Sequence, residues 1–256
     1  MQFDLVKIAL ILVTGVVAGI LNVMAGGGSL LTLPMLIFLG LPSATANGTN
    51  RVAIEVQNII AVLGFRSKGI SNLKLSTLFA VPALVGAIVG ARIAIELPDK
   101  LFNQILAGVM ILALALILWN PTRRLKRNEI TMTPTRRLVA ILVFFLVGIY
   151  GGFIQAGVGF ILIAALVLIT GLDLVRTNSH KVFIIAVYTL SALATFALEG
   201  KVDWVLGLVL AVGNGVGGWI GSRFQVAKGE KWVRIVLIVA VVAMAVRLSG
   251  IIPGWS

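Results

Sequence analysis

The residues best suited to chemistry lie in the stretch 41–58, LPSATANGTNRVAIEVQN, where Asn47, Thr49, Asn50, Arg51 and Glu55 interrupt long apolar flanks. Pro42 followed by Ser43 is a favourable helix start. A helix opened there carries Asn47, Asn50 and Arg51 about 6–12 Å along its axis at roughly 1.5 Å per residue, close to mid-depth of a hydrocarbon core about 30 Å thick. An arginine at that depth costs at least about 2.5–3.5 kcal/mol, so it demands a partner or an anionic ligand. The guanidinium fork matches carboxylate, sulfonate or sulfite oxygens at two points. Glu55, four residues on and on the same face, is the alternative partner, and that pairing is compatible with a substrate role.

A shift of 131 positions lands Asn47 on Asn178, Thr49 on His180 and Asn50 on Lys181. Each copy therefore supplies an asparagine, a further hydrogen-bonding side chain and a nearby cation, and two cations point to an anion. Arg51 is expected to be the principal cation and Lys181 the secondary one, because Lys181 sits only about four residues into its own helix, expected from 177, and can snorkel to the interface. His180, the one histidine in the chain, is either a hydrogen-bonded structural residue or, like Glu55, a carrier of coupled protons.

Gly26, Gly27, Gly28 and Ser29, in NVMAGGGS, form a second constellation. Such a run exposes backbone N–H groups, and a helix starting after it turns its positive end toward an oxyanion at the break. Close packing of helices through small residues is the alternative. The matching position holds QAGVG, so Asn22 pairs with Gln155 and Gly26 with Gly159 at a shift of 133.

The elements that must position these residues follow from hydropathy. Apolar segments are expected at 5–24, 29–41, 43–65, 74–95, 100–119, 138–156, 159–171, 177–198, 204–224 and 231–250, with a basic linker at 120–136 between two halves, 1–119 and 137–256. Besides the polar mates, the 131-residue shift superposes Gly40 on Gly171, Gly69 on Gly200, Gly86 on Gly217, Gly90 on Gly221 and Arg92 on Arg223. Arg92 and Arg223 close the patterns GAIVGAR and GGWIGSR, which suit tight helix packing and an interfacial anchor. The second segment of each half is too short to span comfortably, a pattern that points to a transport site between repeats. If the linker is cytoplasmic by the positive-inside rule, five crossings per half also put Arg66, Lys68, Lys74, Arg176 and Lys181 inside and make the halves inverted. The expected fold class is thus an all-α polytopic membrane protein of two inverted five-segment repeats, with the short second segments meeting near the membrane midplane.

Composition narrows the function. The chain has 256 residues, of which 59% are hydrophobic and 12% charged, with mean hydropathy +1.10; a soluble domain carries roughly twice that charged share. The net charge of +12 sits in short gaps without interleaved aromatics or a binding motif, so it marks cytoplasmic loops facing anionic lipid and not a nucleic-acid surface. Absence of cysteine excludes disulfides, thiolate metal sites and cysteine nucleophiles. No HExxH, GxSxG, P-loop or paired carboxylates occur within a span, which argues against an enzyme, and no cofactor or metal is expected.

At GVVAGILNVMAGGGSLLTLP, ATANGTNRVAIEVQN and GKVDW, over nearly its whole length, the sequence resembles the TauE/SafE family of bacterial permeases, the sulfite exporters. The resemblance implies movement of sulfite, sulfoacetate or another small organosulfonate or carboxylate anion across the inner membrane. In the second copy QAGVGFILIAAL lacks the glycine triplet and the proline, so the copies need not contribute equally. The alternatives are a passive anion channel and a non-transporting scaffold. Expected partners are a small anion and the lipid bilayer, with proton or sodium coupling and a homodimer left open.

Overall fold

A computed structural model describes residues 5–24, 26–70, 73–119 and 130–224. Among them every regular element is a helix: α1 (Leu5–Met24), α2 (Ser29–Phe38), α3 (Ser43–Ser67), α4 (Leu73–Glu96), α5 (Asp99–Trp119), α6 (Pro134–Phe153), α7 (Val158–Thr170), α8 (Leu174–Leu198) and α9 (Trp204–Phe224). The expected segment at 231–250 and linker residues 120–129 lie outside the described residues.

Local chemistry explains the boundaries. Pro42 leads into α3, and Asp99 Oδ1 accepts the Ser43 N–H at 2.9 Å, so the start of α5 caps the start of α3. Thr133 accepts the Arg136 N–H with Pro134 in the first turn, which starts α6 at 134, four residues before the expected 138 and inside the stretch assigned to the linker. Asp173 accepts from the N–H groups of Val175 and Arg176, and this cap starts α8 at Leu174 and not at 177. Gly157 and Gly171, both with positive φ, bracket the 13-residue α7, and Gly40 at φ 95° ends the hairpin between the 10-residue α2 and α3. At about 1.5 Å per residue, α2 covers only half of a hydrocarbon core about 30 Å thick.

Five of the described helices, α1, α4, α6, α8 and α9, are long and apolar enough to cross a membrane. Their outward faces carry apolar stripes at helical spacing, such as Val81, Val85, Val89 and Ile93 on α4 and Leu138, Leu142 and Leu146 on α6. That is the surface a bilayer requires. At 25 residues α3 is as long as α8, but its polar run keeps it out of that set and inside the bundle.

Helices exchange partners between halves. Helix α1 packs on α9, as α6 packs on α4. Glycines make the approach close: Gly15 and Gly19 lie against the backbone of α9, Gly148 and Gly152 against Ala83 and Ala87, and Gly86 and Gly90 against Phe145 and Ile149. With no Cβ on one side, backbones meet directly, as expected for helices that have no hydrophobic drive to associate in lipid. Between these pairs run α3 and α8. Ser179 Oγ donates to Ile70 O beyond the end of α3, and Asp203 N, beyond the end of α8, donates to Thr49 Oγ1 near the start of α3. The two central helices are therefore antiparallel.

Candidate functional site

The two breaks touch. A Cβ on Gly26 would clash with Gly159, and one on Gly159 would clash with Gly26, so the gap between α1 and α2 abuts the gap between α6 and α7. Glycine is required here by proximity, and at Gly26 also by φ of 84°. Gln155 holds a positive φ of 59° without being glycine, a sparsely populated conformation of the kind that collects at functional breaks.

Around the α6 end, Arg51 is fully buried. Its Nη1 donates to Gly151 O at 3.1 Å and to Gln155 Oε1 at 3.5 Å, while Nη2 donates to Gly152 O and to Asn47 Oδ1. Asn47 Nδ2 donates to Phe153 O at 2.7 Å. The guanidinium carbon also sits 4.9 Å from the Phe196 ring centroid, a cation–π contact. These carbonyls are the last of α6, whose C-terminal end carries about half a negative charge.

Around the α1 end the arrangement recurs. Lys181 Nζ donates to Asn22 O at 3.1 Å and Val23 O at 2.9 Å, and Asn22 Nδ2 donates to Gln57 Oε1 at 3.1 Å. Each half thus sends a buried cation from its third helix to the terminal carbonyls of the other half's first helix.

Two expectations change. Arg51 forms no ion pair with Glu55, whose buried Oε2 has no hydrogen-bond partner; the helix end has taken the guanidinium instead. Lys181 does not snorkel, since it is fully buried. With α8 starting at Leu174, it lies as deep in its helix as Arg51 does in α3, and depth no longer ranks the two cations.

Further buried polar atoms have no protein partner: Arg51 Nε, Asn50 Nδ2, Gln57 Nε2, Asn178 Oδ1 and Thr189 Oγ1. Asn50 uses only its Oδ1, which accepts from Thr32 Oγ1 at 2.6 Å. Buried polar groups are ordinarily satisfied, so this concentration beside two cations marks a place for a polar guest.

The family model for the sulfite exporter TauE/SafE matches residues 11–248. The chain belongs to the TauE/SafE sulfite exporter family. It is similar to a probable membrane transporter protein of Sinorhizobium, 27% identical over 94% of this chain and 92% of that protein. A probable membrane transporter protein of Haemophilus influenzae is 27% identical over 97% and 96% of the two chains, and YfcA of Escherichia coli, likewise a probable membrane transporter, is 29% identical over 90% and 85%. No solved structure matches. This membership makes the protein a membrane transporter by family and not an enzyme.

In this TauE/SafE member the expected site residues do not all fall together. Asn22, Gly26, Asn47, Asn50, Arg51, Gln155, Gly159 and Lys181 gather at the touching breaks or the helix ends beside them, and Gly28 packs against Ala18 O and Asn22 Cβ of α1. Gly27 and Ser29 are buried in the first break and the first turn of α2. Asn178 lies one turn from Lys181 with its Oδ1 unpaired. Thr49 and His180 stand apart: Thr49 accepts from Asp203 N, and His180 Nδ1 shares a 2.7 Å hydrogen bond with Ser76 Oγ of α4. Thr32, Ser76 and Phe196 escaped the sequence reading, as did the helix-end carbonyls. Thr32 follows Ser29 by three residues on one face of α2, the one signal that could have found it.

Proposed function

We propose that this protein is a secondary transporter of a small oxyanion, such as sulfite, sulfoacetate or another organosulfonate, working by alternating access between two inverted repeats in the inner membrane, with linker 120–136 cytoplasmic. One observation carries the reading: Arg51 and Lys181 are fully buried, yet among the described residues neither has a carboxylate within ion-pair reach. Helix ends offset only about half a charge each, which leaves a positive site in a low-dielectric interior. Arg51 Nε, Asn50 Nδ2 and Gln57 Nε2 are donors still without partners. The reciprocal exchange of helices and cations between halves supports the inverted arrangement.

Purified protein in liposomes tests this. Saturable flux of sulfite or sulfoacetate that responds to a pH or sodium gradient is the expected result. Flux that never saturates and ignores both gradients would mean a passive channel, and no flux for any anion would mean a scaffold.

A further inference from the structure

The two ends of the α3/α8 pair are related by the repeat, yet they differ. Where α3 runs out and α8 begins, a cavity of about 500 Å³ is lined by Ile70, Met132, Leu172, Arg176, Ser179 and His180, among others. Its size suits a small ligand, and its wall mixes apolar side chains with Thr170, Arg176, Ser179 and His180, as a polar guest requires. Ser179 Oγ donates to Ile70 O across this end at 2.6 Å. His180 is nine-tenths buried or more and bonds Ser76 only through Nδ1, so its Nε2 remains for the cavity.

Roughly 30 Å away along α3, the 131-residue shift replaces Ser179 by Gly48, His180 by Thr49, Ile70 by Lys201, Ser76 by Gly207 and Leu172 by Leu41. That end is shut. A Cβ on Gly48 would clash with Lys201 O, and one on Gly207 would stand 3.3 Å from Thr49 O. Asp203 N donates to Thr49 Oγ1 at 2.9 Å. Thr49 is wholly buried and Leu41 is 5% exposed, whereas Leu172 is half-buried at the cavity wall. Two glycines let the backbones close, where serine, histidine and serine keep them apart at the other end.

We propose that the cavity is the loading vestibule for the anion, and that the Gly48–Lys201 contact is the closed form of a second vestibule, which opens when the first shuts. This rests on the transport reading above. In transporters built from two repeats, access alternates as one half rocks or gates against the other around a fixed site, and here Gly48, Gly207, Ser179 and His180 set which end is closed at rest. Ile130 and Met132 border the cavity, so a cytoplasmic linker makes the resting state open to the cytoplasm.

The chain has no cysteine, so single cysteines report without background. In detergent, where both ends meet water, Leu172→Cys is expected to react with a charged thiol reagent at least about tenfold faster than its mate Leu41→Cys, because a minor open state is populated at about 10% or less. Gly48→Ser, which restores the residue of the open end, should raise labelling at Leu41→Cys and lower it at Leu172→Cys. The reverse exchange, Ser179→Gly with His180→Thr, should slow Leu172→Cys and serves if Gly48→Ser does not elute as a monodisperse protein. Equal labelling of the two mates, or folded exchange variants that leave the ratio unchanged, would overturn the vestibules even if liposome flux is intact. Conversely, the expected labelling without flux in liposomes would defeat the transport reading and leave the asymmetry standing.

Discussion

Asn47 and Asn178 are identical residues at matched positions, but their surroundings differ. Asn47 ties Phe153 O to Arg51, whereas Asn178 buries an unpaired Oδ1. Removing the first strands a carbonyl at a cost of about 1–3 kcal/mol; removing the second strands nothing. Asn47→Ala is therefore expected to lower both thermal stability and transport, and Asn178→Ala to lower transport alone. Paired melting and flux measurements check this, and equal stability losses would show the asparagines to be equivalent. The sequence carried the residue types at this scale, because a buried arginine or asparagine is conspicuous among apolar neighbours. It hid their partners, because every residue has a carbonyl and only the fold decides which carbonyls end a helix beside Arg51.

For the elements, the shift of 131 residues pointed to two like halves, and the short second segments were legible from length alone. Helix starts were less so: hydropathy begins α8 at its apolar run, while the Asp173 cap begins it at Leu174, and those few residues removed the argument that ranked Lys181 below Arg51. The glycine patterns were visible, but their partners across the halves were not. Those partners separate structural from dispensable glycines. Gly148 faces Ala83 O within clash distance, whereas a Cβ added to Gly108 would meet nothing within 4 Å. Gly148→Leu should thus destabilise the fold by about 1–3 kcal/mol through overpacking, and Gly108→Ala should be neutral or stabilising by up to about 1 kcal/mol. Melting temperatures in one detergent decide it; similar shifts for both would mean that the α4–α6 contact is looser than described.

At the level of the whole molecule, membrane insertion and an all-helical fold were legible in composition and hydropathy. The interweaving was not, because a repeat looks the same whether its halves stand side by side or trade helices. Helix α1 rests on α9, and its terminal carbonyls wait for Lys181, 158 residues beyond Val23. A ribosome delivers α1 long before either exists, so the first half must wait in the membrane with a glycine-lined face uncovered and its helix end uncapped. Residues 1–119 made alone should be cleared by proteolysis, and the same fragment made together with 120–256 should persist and copurify with it. Accumulation of the lone fragment would show that the first half matures without the second. Assembly on this view is all or nothing: a chain cut short by premature termination is recognisably unfinished up to its last few helices, which gives quality control a long interval in which to act.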